Sequence, residues 1–160
     1  MSLSELPIMA ASYQLIREQW IPKPIDEAFA FFSCPENLEE ITPPLLGFHI
    51  LRADKQLHAG SLIEYKLRVR GLPMKWLTEI TVWEPPYCFV DNQLKGPYKL
   101  WHHEHTFTAE KGGTRIGDRV DYALPFGILG QMVHRLMVRR DVEAIFRYRQ
   151  KRLEELLGAR

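Results

Sequence analysis

Between residues 48 and 124 the chain alternates strand-length stretches with short breakers, and no other feature limits its possible folds so strongly. Strands are expected at 48–53, 61–70, 75–84, 87–94, 98–109 and 114–124, punctuated by Ala59-Gly60, Gly71-Leu72-Pro73, Pro85-Pro86, Gly96-Pro97 and Gly112-Gly113. Such breakers are too short for crossover helices, so the strands must turn back on themselves as an antiparallel meander. An earlier alternating stretch, Tyr13 to Ile21, is halted by Pro22 and Pro24. Two short helical patterns follow it. Ile25 to Phe32 carries apolar residues at 25, 28, 29 and 32, and Pro35 to Ile41 begins with a proline and ends before Pro43-Pro44. After Pro125 and Gly127 the spacing turns helical for the rest of the chain, about 30 residues or roughly 40 Å of helix. The predicted class is α+β: a curved antiparallel sheet of about seven strands wrapped around a long C-terminal helix, with two short helices after the first strand. No repeat or linker divides it, so residues 1–160 read as one domain.

Composition removes several classes of function. The 160 residues are 46% hydrophobic, with 21 Lys plus Arg against 20 Asp plus Glu. A net charge of +1 is unlike the strongly basic surface of a nucleic-acid binder, and the apolar content excludes disorder. Cys34 and Cys88 lie far apart with no Cys-x-x-Cys spacing, which suggests neither a disulfide framework nor a zinc ribbon. The first residues, MSLSELPIMAAS, lack a secretory pattern, and no stretch reaches the roughly 18 apolar residues of a membrane span. A cytoplasmic location is the expectation.

The hairpin at Lys111-Gly112 fixes which side chains share a face. If those two residues form the turn, positions pairing across it sum to 223, setting Phe107 against Ile116, His105 against Asp118 and Trp101 against Tyr122. One face then collects large apolar residues, while the other matches Glu104 with Arg119 and His102 with Asp121. Carried through Gly96-Pro97, sums of 194 place Gln93 by Trp101, Asp91 by His103 and Phe89 by His105. The expected inner face therefore holds Asp91, Gln93, His103, His105 and Asp118 among apolar residues. Further strands add Val82, Ile80, Thr78 and Trp76, then Ile63, Tyr65, Leu67 and Val69. Directly opposed pairs come within hydrogen-bond reach, so His105 should bond Asp118 and His103 should bond Asp91.

Polar groups on a concave apolar face are costly unless they meet each other, water or a ligand. Four uses fit them. They form a network that fixes strand register, orient a ligand in an apolar pocket, hold a metal through two histidines at i and i+2 with an aspartate, or supply a general base from His103 or His105 with Asp118 behind it. Ligand orientation is the reading adopted, with Tyr65, Trp76, Asp91, Gln93, Trp101, His103, His105, Asp118 and Tyr122 as the binding set and no cofactor or metal called for. No nucleophile elbow, phosphate loop or dinucleotide fingerprint is present, and GGTRIG at 112–117 reads as a hairpin. The apolar turns Leu72-Pro73-Met74 and Pro125 to Ile128 are expected at the pocket mouth, with a membrane edge or a dimer contact as alternatives. From Arg135 to Arg160 basic residues outnumber acidic ones, a solvated helix face that would also suit a protein partner or anionic membrane.

The order of elements, together with FVDNQLKGPYKLWHHEHTFTAEKGGTRIGDRVDYALPFG from Phe89 to Gly127, resembles the START-like (SRPBCC) superfamily of polyketide cyclases, lipid-transfer domains and birch-pollen-allergen proteins. The resemblance covers essentially the whole chain. It implies a helix-grip fold enclosing a pocket for a hydrophobic or amphipathic small molecule, without identifying that molecule. Cyclase or dehydratase chemistry in the same pocket is the alternative it carries, and an interaction or chaperone-like module is a third. The bacterial branch that the segment is most similar to includes proteins fused to, or encoded beside, sugar-nucleotide-epimerase-like proteins, which implies such a partner.

Overall fold

In the computed structural model, which describes residues 11–158, seven strands form one antiparallel sheet. Strand β1 (Ser12–Ile21) leads into helices α1 (Ile25–Phe32) and α2 (Glu36–Glu40), and strands β2 (His49–Ala53), β3 (Leu62–Val69), β4 (Leu72–Glu84), β5 (Cys88–Lys95), β6 (Leu100–Glu110) and β7 (Gly113–Ala123) follow. The strand order β1-β7-β6-β5-β4-β3-β2 is the expected meander with β1 added against its last member. Helix α3 (Gly127–Val133) runs through a π-helical turn at His134–Val138 into α4 (Arg139–Leu157), so the helical C-terminal segment is continuous but not uniform. Residues 1–10 and 159–160, with the leader reading of MSLSELPIMA and the charge of Arg160, lie outside the described residues.

Turn chemistry sets the sheet's register. Lys111 and Gly112 both take positive φ between the paired residues Glu110 and Gly113, a two-residue turn whose twist matches that of the strands it joins. The pairing through β6 and β7 and through β5 and β6 is the one expected from sequence. Two details depart from expectation. The β3–β4 turn is Arg70-Gly71, both at positive φ, rather than Gly71-Leu72-Pro73, because a tight turn needs only two residues and β4 can then start at Leu72. Arg70 also forms a bidentate pair with Asp141 (Nε–Oδ2 3.0 Å, Nη2–Oδ1 2.9 Å), tying that turn to the start of α4. In β4 the register shifts between Ile80 and Val82, and this bulge turns Trp83 rather than Val82 toward the core, where it packs on Phe29 of α1.

The space between sheet and helices holds two apolar clusters. Phe29 and Ala28 of α1 meet Ile21, Ile80, Phe89, Phe107, Ile116, Leu153 and Leu157 in one; Leu15, Val120, Tyr122, Val142 and Phe146 make the other. Along α4 the buried residues are Val142, Phe146, Arg149, Leu153 and Leu157, a stripe at three- and four-residue spacing. At the end of α4, Leu153 and Leu157 are buried and Leu156 is exposed. Arg149, which sequence placed on a solvated basic face, occupies one position of the buried stripe.

Candidate functional site

Between the two clusters lies a cavity of about 170 Å³. Its walls come from Phe32, Leu38 and Ile41 beside α1 and α2, from Phe48, from Tyr65 and Leu67 of β3, from Trp76, Thr78 and Ile80 of β4, and from Ile145 and Phe146 of α4. Tyr65 and Trp76 stack at 5.7 Å, and Trp101 meets Trp76 edge-on at 5.4 Å, so one wall is continuous aromatic surface. Its charged and imidazole groups are Asp91 of β5, His103 and His105 of β6, and Arg149 of α4, and Cys34, Asn37, Thr42 and Thr78 add uncharged polar atoms.

Six of the nine expected binding residues line the cavity: Tyr65, Trp76, Asp91, Trp101, His103 and His105. Asp118 stands behind the two histidines without facing the cavity. Gln93 is occupied elsewhere: its amide donates to Tyr98 O at 2.7 Å and accepts from Tyr98 N at 3.2 Å, bridging the β5–β6 turn. Tyr122 belongs to the second cluster, with its hydroxyl 2.8 Å from Nε2 of His134. Arg149 is the charged cavity residue that the sequence reading does not include, whereas His134, in the π-helical turn, stacks on Tyr13 and does not line the cavity. Neither apolar turn expected at the pocket mouth, 72–74 or 125–128, contributes to the cavity lining.

The imidazole–carboxylate hydrogen bonds run diagonally, not straight across. His103 Nε2 donates to Asp118 Oδ1 at 2.7 Å, and His105 Nε2 lies 2.6 Å from Asp91 Oδ2. The directly opposed contacts expected from sequence are longer, 3.4 Å for His105 with Asp118 and 3.6 Å for His103 with Asp91. The two rings lie 3.7 Å apart, which leans each along the strand and brings the diagonal neighbour into range. Arg149 adds a guanidinium 3.6 Å from Asp118 and 3.4 Å from Nδ1 of His105. Phe89 stacks on the His105 ring at 4.0 Å.

Burial disfavours charge on every member of this cluster, yet partners decide the outcome for three of them. For Asp118, burial is outweighed by Arg149 and the two imidazoles, and its carboxyl is held well below the usual range. Asp91 is likewise lowered against burial, chiefly by His103 and His105. His105 is raised, because hydrogen bonds to Asp118 and Asp91 overcome desolvation. His103 goes the other way: burial and the neighbouring His105 pull it down to about 4. The cluster therefore sets two carboxylates and one guanidinium beside a neutral imidazole, His103, and a second imidazole, His105, that its carboxylate partners bias toward the protonated form.

A pH profile of stability follows from these directions, with chelator present so that only protons compete for the cluster. The contribution of His105, whose folded pKa is raised, is complete below about 6.5 and lost as pH rises through the raised value. That of His103, whose folded pKa is depressed, is present above 6.5 and lost as pH falls toward 4. Unfolding free energy should peak near pH 6.5 and fall on the acid side by at most about 1.4 kcal/mol per pH unit from His103 alone. Urea unfolding between pH 4.5 and 9 measures this; a profile that rises steadily through 6.5 contradicts the assignment of the two imidazoles.

The family model for polyketide cyclase / dehydrase and lipid transport matches residues 21–146. The chain belongs to that family, whose domains are hydrophobic-ligand-binding or cyclase-like. Solved structures show the same fold at low identity. Protein Ms6760 from Mycobacterium smegmatis is 19% identical over 89% of each chain, with a TM-score of 0.67. Protein CV1439 from Chromobacterium violaceum is 10% identical over 92% of this chain and 99% of its own, with a TM-score of 0.72. The major latex-like protein 151 of Panax ginseng is 18% identical over 83% of this chain and 96% of its own, with a TM-score of 0.56. No curated protein matches the sequence. Among the described residues, no helix is long and apolar enough to cross a membrane.

Proposed function

We propose that this chain binds or transports one compact, largely apolar molecule bearing an oxygen acceptor, held in the cavity between sheet and α4. The observation that carries this reading is an aromatic-walled cavity with two buried N–H donors at its lining. Among the described residues, Trp76 Nε1 and Arg149 Nε have no hydrogen-bond partner, although both side chains are more than nine-tenths buried. An unmet buried donor costs about 1–3 kcal/mol, which a ligand oxygen would recover. Size restricts the ligand further. A cavity of 170 Å³ is close to engineered ones of about 150 Å³ that admit benzene, and smaller than the roughly 300 Å³ where drug-sized pockets begin. A ligand on the scale of one or two rings fits without displacing the walls.

Cyclase or dehydratase chemistry through an imidazole base is the rival within the family. Neither histidine suits that role well: a His103 with a pKa of about 4 is a weak base at neutral pH, and Nε2 of His105 is already engaged by Asp91 at 2.6 Å. Native mass spectrometry of gently purified protein tests the binding reading. A single adduct of compact, apolar mass is expected, and it should leave on mild organic extraction. Turnover of that same compound, lost in both His103→Ala and His105→Ala, would overturn carriage in favour of catalysis.

A further inference from the structure

Three of the four side chains in the imidazole–carboxylate cluster face the cavity, and their donor atoms converge. One ligating atom each from Asp91, His103 and His105 lies within 4.8 Å of the others. Oδ2 of Asp91 is 2.6 Å from Nε2 of His105 and 3.6 Å from Nδ1 of His103. Ligands held 2.0–2.2 Å from a tetrahedral zinc ion stand about 3.3 Å from one another, a value between those two separations. Asp118 stands on the far side, with Oδ1 2.7 Å from Nε2 of His103 and 3.4 Å from Nδ1 of His105. Each histidine thus offers one nitrogen toward Asp91 and turns the other to a single outer carboxylate, which Arg149 neutralises from 3.6 Å. Outer carboxylates of this kind fix ring orientation and tautomer at metal centres.

We propose that Asp91, His103 and His105 form a binding site for a divalent transition-metal ion of the zinc type, with Asp118 as its outer carboxylate and its open position toward the apolar cavity. Two imidazoles with one carboxylate suit such an ion, whereas magnesium and calcium take oxygen ligands. What the open position would hold rests on the reading of the cavity as a ligand site; the ion itself rests only on these four side chains.

Chelator-treated, desalted protein is titrated with Co²⁺, followed by its visible absorption, and with Zn²⁺ in a calorimeter. The expected result is one equivalent per chain at micromolar affinity or tighter, a Co²⁺ spectrum of four- or five-coordinate intensity, and displacement of Co²⁺ by Zn²⁺. Asp91→Asn and His103→Gln should each weaken binding at least 100-fold, and Asp118→Asn, which touches no ion, by about 10- to 100-fold. X-ray absorption of the zinc-loaded, unaltered protein should show imidazole scattering, which keeps the test informative if a variant fails to fold. Absence of a one-equivalent site, affinity unchanged in Asp91→Asn, or a zinc shell without imidazole overturns the proposal. Binding of benzene by the chelator-treated samples, read in the calorimeter, is scored alongside: benzene bound by protein that takes no metal retires the ion alone, and metal bound by protein that takes no benzene retires the apolar site alone.

Discussion

Replacing Arg149 with methionine should lower the free energy of unfolding by about 3–5 kcal/mol, the range found when one partner of a buried ion pair is removed. Arg149 is only 7% exposed, and its guanidinium sits 5.3 Å from the ring centre of Phe32 and 5.8 Å from that of Phe146, so little water reaches it. Methionine keeps the apolar stem on the α4 stripe and takes away the charge. Asp118 then remains buried with one cationic neighbour fewer, and burial pushes its carboxyl toward protonation. The control is a second substitution. Asp118→Asn in the Arg149→Met background removes the stranded charge and should recover at least about 2 kcal/mol, as expected for contacting residues in one network. Urea denaturation of the four proteins at neutral pH gives the coupling directly. If Arg149→Met alone costs less than about 1 kcal/mol, the guanidinium is not what holds the Asp118 carboxylate in place.

Filling the cavity should abolish binding while sparing the fold. Thr78 is small, buried and part of the cavity wall, between Trp76 and Ile80 on the inward face of β4. Thr78→Phe places a ring in the space a ligand would use. Overpacking a solid core typically costs about 1–3 kcal/mol, but here the added ring enters empty volume beside Trp76 and Ile80. The expected change in stability is therefore at the low end of that range, about 1 kcal/mol. Loss of affinity for a benzene-sized probe should exceed 100-fold, and any adduct seen by native mass spectrometry should disappear. Unchanged probe binding would place the ligand elsewhere.

Much of this architecture was readable without coordinates because short-range signals agreed. The turn at Lys111-Gly112 and the complementary charges on the outer face admit one register for β6 and β7, and that register alone gathers Asp91, His103, His105 and Asp118. Where the sequence reading failed, a local irregularity or a side-chain choice intervened. The bulge after Ile80 inverts the alternation, so Trp83 displaces Val82 from the core. Diagonal bonding within the cluster depends on how two imidazoles pack 3.7 Å apart, which strand pairing does not specify. Gln93 shares the correct face yet is consumed by the adjoining turn. Arg149 was overlooked for its residue type, although its spacing of three from Phe146 and four from Leu153 placed it on the buried stripe. A basic residue on an apolar stripe is itself a signal of a carboxylate waiting across the core.

Crystals of the protein held under xenon pressure offer the most direct test of the cavity itself. Xenon enters dry apolar cavities of about 150 Å³ and scatters strongly. The expected result is a xenon site between Trp76, Phe89 and Phe146, with His103 and His105 beside it, and no such site in Thr78→Phe. A core closed around those residues with no xenon, in protein that diffracts well and stays folded, would contradict the hollow on which the binding function depends.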